Sequence, residues 1–209
     1  MYIPQEYSIN DREEMISFMK TYSFATVITV KDDFQKATHL PFVISQENDE
    51  IILLSHFAKA NEQWEEITNN QVLVVFAEPH AYISPTHYES QINVPTWNYM
   101  AVHTYGKGEI IEGKTPTIAV LEMMINNYEK DYKTQWDNLP ENYKNKLINE
   151  IVAFKIVVTE IKATKKISQN KRTSEKENII NSLQKSDNKN EKDIAKMMKK
   201  ELLAKNINK

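Results

Sequence analysis

The stretch that decides the fold is Phe24-Ala-Thr-Val-Ile-Thr-Val30, then Lys36-Ala-Thr-His-Leu-Pro-Phe-Val-Ile-Ser45, then Glu50-Ile-Ile-Leu-Leu-Ser-His-Phe57. The first run is rich in β-branched residues and reads as a strand, and the other two read as two more strands. Lys31-Asp-Asp-Phe34 and Gln46-Glu-Asn-Asp49 read as the turns between them. Working outward, Val72 to Ala77 is an unbroken apolar run, predicting a central strand buried on both faces, and Pro79 ends it. Val94 to Met100, Val102 to Glu112 and Phe154 to Ile161 are further strands. Gly106 and Gly108 predict a bulge or a close backbone approach. Helices are expected over Asp11–Lys20 and Ala60–Thr68. A third opens at Thr115-Pro116, with Thr115 as cap and Pro at the first helical position, and a fourth runs from Leu139-Pro140 to about Ile151. Six or seven strands with few helices predict a mainly β fold with peripheral helices (α+β), a β-barrel with helical additions. Regular strand–helix alternation, the mark of a doubly wound parallel sheet, is missing.

The 209 residues suit one sizeable domain with an appended segment, divided as 1–170 and 171–209. There is no cysteine, which excludes disulfides, thiolate metal sites and cysteine nucleophiles and fits a cytoplasmic location. The first residues lack the pattern of a signal peptide, and no apolar run approaches the roughly 18 residues of a membrane span. The three glycines, Gly106, Gly108 and Gly113, cannot build a Gly-rich phosphate loop or a dinucleotide fingerprint. Side chains and ordinary amides would have to hold any nucleotide phosphate.

Charge is unevenly spread. Residues 171–209 carry 11 Lys and Arg against 6 Asp and Glu, net +5, and residues 1–170 carry 15 against 23, net −8. A basic tail on an acidic body points to an anionic partner or to a solvated helix. Ser174-Glu-Lys-Glu177 reads as a capping box opening a helix over Glu175–Lys185. Glu191 to about Lys205 forms a second helix with Ile194, Met197, Met198 and Leu202 on one face, a stripe that must dock on the body or on a partner.

The run His80 to Gly106 holds three of the five histidines, one of the three tryptophans and four of the ten tyrosines. Flat rings with polar tips suit a planar, polar-edged ligand, and equally a packed aromatic core. Ser55-His-Phe-Ala-Lys59 lies at an expected strand-to-helix junction, where amides, a hydroxyl and an ammonium favour a phosphate. Pro41 within Thr38-His-Leu-Pro-Phe42 implies an edge or irregular position with free amides. Ser168-Gln-Asn170 supplies amide donors and acceptors for a heterocycle edge. No His-Glu-x-x-His, nucleophile elbow or carboxylate pair stands out, so no metal is expected and no catalytic residue is assigned.

Met1-Tyr-Ile-Pro4, Thr38-His-Leu-Pro-Phe42, Ser55-His-Phe-Ala-Lys-Ala-Asn-Glu-Gln-Trp64, His80-Ala-Tyr-Ile-Ser-Pro85, Val94-Pro-Thr-Trp-Asn-Tyr99, Val102-His-Thr-Tyr-Gly106 and Ile167-Ser-Gln-Asn-Lys171 occur in one order. As an ordered set they resemble the PaiB-type family of FMN-binding negative transcriptional regulators. The resemblance implies an FMN-binding split β-barrel, pyridoxamine-phosphate-oxidase-like, that dimerises with the flavin at the subunit interface. It places Thr38, His39 and Leu40 along the flavin. Ser55, His56 and Lys59 would meet the phosphate. Thr96, Trp97 and Asn98 would line the ring, and Ser168, Gln169 and Asn170 would close the pocket. Glu62 departs from the family, which often has proline there. The family name implies repression of degradative-enzyme and sporulation genes, with DNA reached only through the basic C-terminal segment. Two other functions are open on such a scaffold. One is a flavin-dependent oxidoreductase or flavin reductase, with His80, Tyr82, His87 or His103 as proton donor. The other is a heme-binding or heme-degrading protein with a histidine ligand.

Overall fold

In the computed structural model, which describes residues 1–207, Asp32 and Asp33 sit at φ 51° and 61°, and Asn48 and Asp49 at φ 48° and 67°. Asn and Asp tolerate this left-handed backbone, and two such residues in a row make the tight turn that matches strand twist. The turns fold β1 (Phe24–Lys31) onto β2 (Phe34–Pro41), and β3 (Val43–Glu47) onto β4 (Glu50–Ala58), both antiparallel. The remaining strands are β5 (Gln71–Phe76), β6 (His80–Ile83), β7 (Thr96–Ile110) and β8 (Ile151–Lys166). The helices are α1 (Arg12–Thr21), α2 (Lys114–Tyr128), α3 (Tyr132–Asn138), α4 (Glu141–Asn149), α5 (Thr173–Gln184) and α6 (Lys189–Ile207). The fold class is α+β, with a mainly antiparallel sheet.

The chain forms two compact units. One comprises 13–76 and 103–161, the other 1–12, 77–102 and 162–209. The sheet runs β2-β1-β5-β7-β8-β4-β3, with β6 paired to the start of β7. In the larger unit the core is a chain of phenylalanines. Phe57 stacks on Phe154 at 4.7 Å, and Phe42 meets Phe154 and Phe76 edge-on at 6.1 and 6.0 Å. In the smaller unit, Ile179, Ile180 and Leu183 of α5 and Ile194, Ala195 and Met198 of α6 close over Ala81, Ile83, Tyr88 and Ile167. The tail's apolar stripe therefore docks within this unit, with Met197 and Leu202 at its margin.

Several expected elements differ. The single strand over 36–45 is two strands at opposite edges of the sheet. Pro41 has no N–H and stands at a non-bonded position of the β1–β2 register; the Phe42 amide makes one further bond in that register, to the Ser23 carbonyl at 2.9 Å, and from Val43 the chain pairs with β4 instead. Residues 60–68 form only a 3₁₀ turn, Glu62–Glu65. β5 is buried on one face: Val72, Val74 and Phe76 are sealed while Leu73 and Val75 are half-buried. The two strands over 94–112 are one, β7. α2 starts two residues earlier than expected, at Lys114, with Gly113 at the cap position at φ 95°. α3 was not signalled by the sequence. α5 opens at Thr173, and the carboxylate that reaches back is Glu175, accepting from the Arg172 amide at 3.1 Å. Gly106 and Gly108 do mark close approach. A Cβ at Gly106 would sit 2.2 Å from the Val157 carbonyl oxygen, and one at Gly108 would sit 2.7 Å from Ile67.

Candidate functional site

The turn after β4 braces β1 and β2. Asn61 accepts the Gln63 amide at 3.1 Å and donates to the Thr38 hydroxyl at 2.9 Å. Thr38 in turn donates to the buried Gln63 Oε1 at 2.6 Å. Gln63 Nε2 donates to Thr29 Oγ1 and to the Lys36 carbonyl, each at 3.1 Å. Thr29 donates to Glu66 Oε2, and Lys36 pairs with Glu66 Oε1, both at 2.6 Å. Burial pushes the Glu66 carboxyl up, but the Lys36 ammonium and Thr29 hydroxyl outweigh it and hold the group below its ordinary value. Thr38 is thus part of a saturated brace. On the opposite face of β2 the exposed His39 stacks on Phe24 at 6.3 Å, while Leu40 is half-buried.

Ser55, His56 and Lys59 stand on or just after β4. Ser55 is fully buried and donates to the Pro41 carbonyl at 2.7 Å. His56 Nδ1 lies 3.4 Å from the Met124 sulfur, and burial lowers the pKa of its ring. The expected array of free amides at a helix start is not formed. No helix follows, and the Lys59 amide donates to the Glu150 carbonyl at 2.8 Å. The Lys59 ammonium is exposed and makes no ion pair among the described residues. It lines a cleft of 560 Å³ with Lys114, Thr117, Asn145 and Asn149 on one side and Ile110, Ile111, Ile151 and Val152 on the other. Asn145 Oδ1 is buried there without a partner among the described residues. Lys114, Asn145 and Asn149 escaped the sequence reading because single Lys and Asn residues in helical segments carry no spacing signal.

In the smaller unit, Lys166 bonds Thr96, and Trp97 is exposed against Tyr82 and His80, each at 5.8 Å between ring centres. Asn98 is fully buried. Its amide exchanges bonds with Ser168 Oγ at 3.0 and 3.1 Å and reaches the Met198 sulfur at 3.5 Å. Ser168 itself sits at φ 60°. Gln169 turns back on its own loop, accepting the Ile167 amide and donating to the Lys165 carbonyl, and Asn170 is exposed. The structure therefore joins Asn98 to Ser168 within this unit. Thr38 is instead joined to Asn61 and Gln63, residues the sequence reading did not single out for the site.

One sheet face of the larger unit is apolar and open. The register sets Phe24, Thr26, Ile28 and Val30 of β1 beside Pro41, His39, Ala37 and Gln35 of β2, with Val75 and Leu73 of β5 on the other side. Phe24 is 65% exposed and Val30 45%. Among the described residues no group of three His, Asp or Glu side chains is placed to hold a metal, and no helix is long and apolar enough to cross a membrane.

Residues 1–160 match the family described as "Putative FMN-binding domain". The "Protease synthase and sporulation protein PAI 2" of Bacillus subtilis (strain 168) is 40% identical over 205 residues, covering 97% of this chain and 98% of its own. Among solved structures, the flavocytochrome Anf3 of Azotobacter vinelandii superposes with TM-score 0.62 at 14% identity, covering 79% of this chain and 72% of its own. The FAD and heme binding protein of Mycobacterium smegmatis gives 0.58 at 13%, covering 77% and 73%. At these identities the likeness is one of fold, the split barrel. With a family match over most of its length and a full-length relative, this chain belongs to the FMN-binding-domain family that includes the PAI 2 protein.

Proposed function

We propose that the chain is a cytoplasmic FMN-binding negative transcriptional regulator, acting as a homodimer and repressing degradative-enzyme and sporulation genes. The relative's name joins protease synthesis to sporulation, which supports the target class. The cleft beside Lys59 carries the flavin part of this reading. FMN presents a dianionic phosphate, a hydroxylated chain and a flat ring. Lys59 suits the phosphate, Lys114 can join it by leaving its long, exposed 3.4 Å pair with Glu141, and the orphaned Asn145 Oδ1 suits a hydroxyl donor. The volume lies in the range of small-ligand pockets. When bound, FMN would supply redox chemistry or a redox-dependent shape. The proton-carrying side chains of the lining are Lys59 and Lys114, both given to the phosphate end, which leaves no separate acid or base beside the ring and favours a sensor over a turnover catalyst. The open face of β2, β1 and β5 supports a second copy as partner, because exposed apolar patches mark interfaces.

An FMN titration followed by NAD(P)H addition tests this. The proposal expects saturable binding that perturbs the flavin band, with at most one equivalent of NAD(P)H consumed per flavin. Sustained NAD(P)H oxidation would replace the regulator with an oxidoreductase, and a heme Soret band without flavin binding would replace both.

A further inference from the structure

α6 separates its chemistry by face. At 100° per residue, Lys189, Lys192, Lys196, Lys199 and Lys200 fall within roughly 100° of arc, opposite the sealed Ile194 and Met198, with the sealed Ala195 at the row's margin. All five lysines are exposed. The acids of the helix do not neutralise them. Glu201 pairs with Lys165 at 3.0 Å, Glu191 is half-buried, and only Asp193 reaches the row, at 2.8 Å from Lys196. Lys189, Lys192, Lys199 and Lys200 have no ion pair among the described residues. The row spans about 16 Å, or about five steps of one duplex strand.

We infer that this lysine row is a docking surface for the phosphate backbone of duplex nucleic acid. The inference deepens the regulator reading and rests on it for biological purpose, while its charge geometry belongs to one helix. Charge complementarity selects the occupant, since the net −8 of residues 1–170 repels a polyanion and leaves the basic tail as the attractive segment. The row is all lysine, whose flexible ammonium groups bind phosphate as point charges and offer no planar amide or guanidinium fork to fix a base edge, so its main role is to position the protein on the backbone. Its base is firm, because Met198 on the opposite face is packed in the core and touches the buried Asn98.

The test is fluorescence anisotropy of the full chain on two unrelated 20-bp duplexes across a salt series. Both duplexes are expected to bind alike, with log K falling by about 0.9 per log salt for each phosphate neutralised. The variant K189Q/K192Q/K196Q/K199Q/K200Q is expected to lose roughly a hundredfold at low salt and most of that slope. The control K20Q/K130Q/K146Q, also at exposed lysines, should bind like the parent. Unchanged binding by the five-lysine variant overturns the inference. So does binding to anionic phospholipid vesicles without binding to duplex. FMN titration of the same samples separates the two readings: duplex binding without flavin binding leaves the lysine row standing and removes the flavoprotein regulator.

Discussion

Gln63 does more than its neighbours suggest. Its buried amide ties Thr38 to Thr29 and to the backbone of both β1 and β2. Gln63→Ala should leave Thr38 and Thr29 short of partners and cost about 2 kcal/mol, read from the urea midpoint of unfolding. His56 gives the chain a pH dependence. Its folded pKa is lowered by burial, so the unfolded state takes the proton first. The stability it contributes is present above the ordinary histidine value of about 6.5 and is lost as pH falls from there toward the lower folded value, at no more than about 1.4 kcal/mol per pH unit. Thermal melts from pH 7.5 to 5 should show this decline, and His56→Gln should reduce it, leaving the part due to His103, whose pKa burial likewise lowers. At this scale the sequence was partly legible. It flagged Lys59, which lines the cleft, but it gave no sign that Thr38 would be taken up by the Gln63 brace, or Asn98 by Ser168 and Met198.

At the scale of elements, β7 depends on two absent side chains. Gly106 lies under the Val157 carbonyl and Gly108 against Ile67. A methyl at Gly106 meets backbone, which cannot rotate away, so Gly106→Ala should destabilise by roughly 3 kcal/mol. Gly108→Ala meets a side chain and should cost less. Equilibrium denaturation of the two variants side by side checks the order. The glycines were legible because a glycine within a β pattern has few reasons to be there. The turns at Asp32-Asp33 and Asn48-Asp49 were legible from residue type. The division of 36–45 was not, since an apolar run on both sides of Pro41 looks like one strand until the pairing partner is seen to change from β1 to β4 between Phe42 and Val43. The missing helix over 60–68 has a similar cause: Asn61 and the Gln63 brace hold a 3₁₀ turn where propensity alone favours a longer helix.

At the scale of the whole molecule, family membership and the sheet class were readable from ordered motifs and β-rich runs, whereas the cleft needed coordinates. Its walls come from one stretch, 110–153, that carries the end of β7, α2, α4 and the start of β8, and only the fold brings the distant Lys59 to it. The open face of β2, β1 and β5 gives the assembly prediction. The double change Phe24→Asp and Val30→Asp alters exposed side chains, so the fold should persist while sedimentation velocity shifts from dimer to monomer. The central claim is that the cleft takes the phosphate end of FMN through Lys59, and paired titrations with FMN and riboflavin test it most directly. Lys59→Ala should weaken FMN roughly tenfold and leave riboflavin, which lacks the phosphate, unchanged. Equal weakening of both flavins, or of neither, would contradict it.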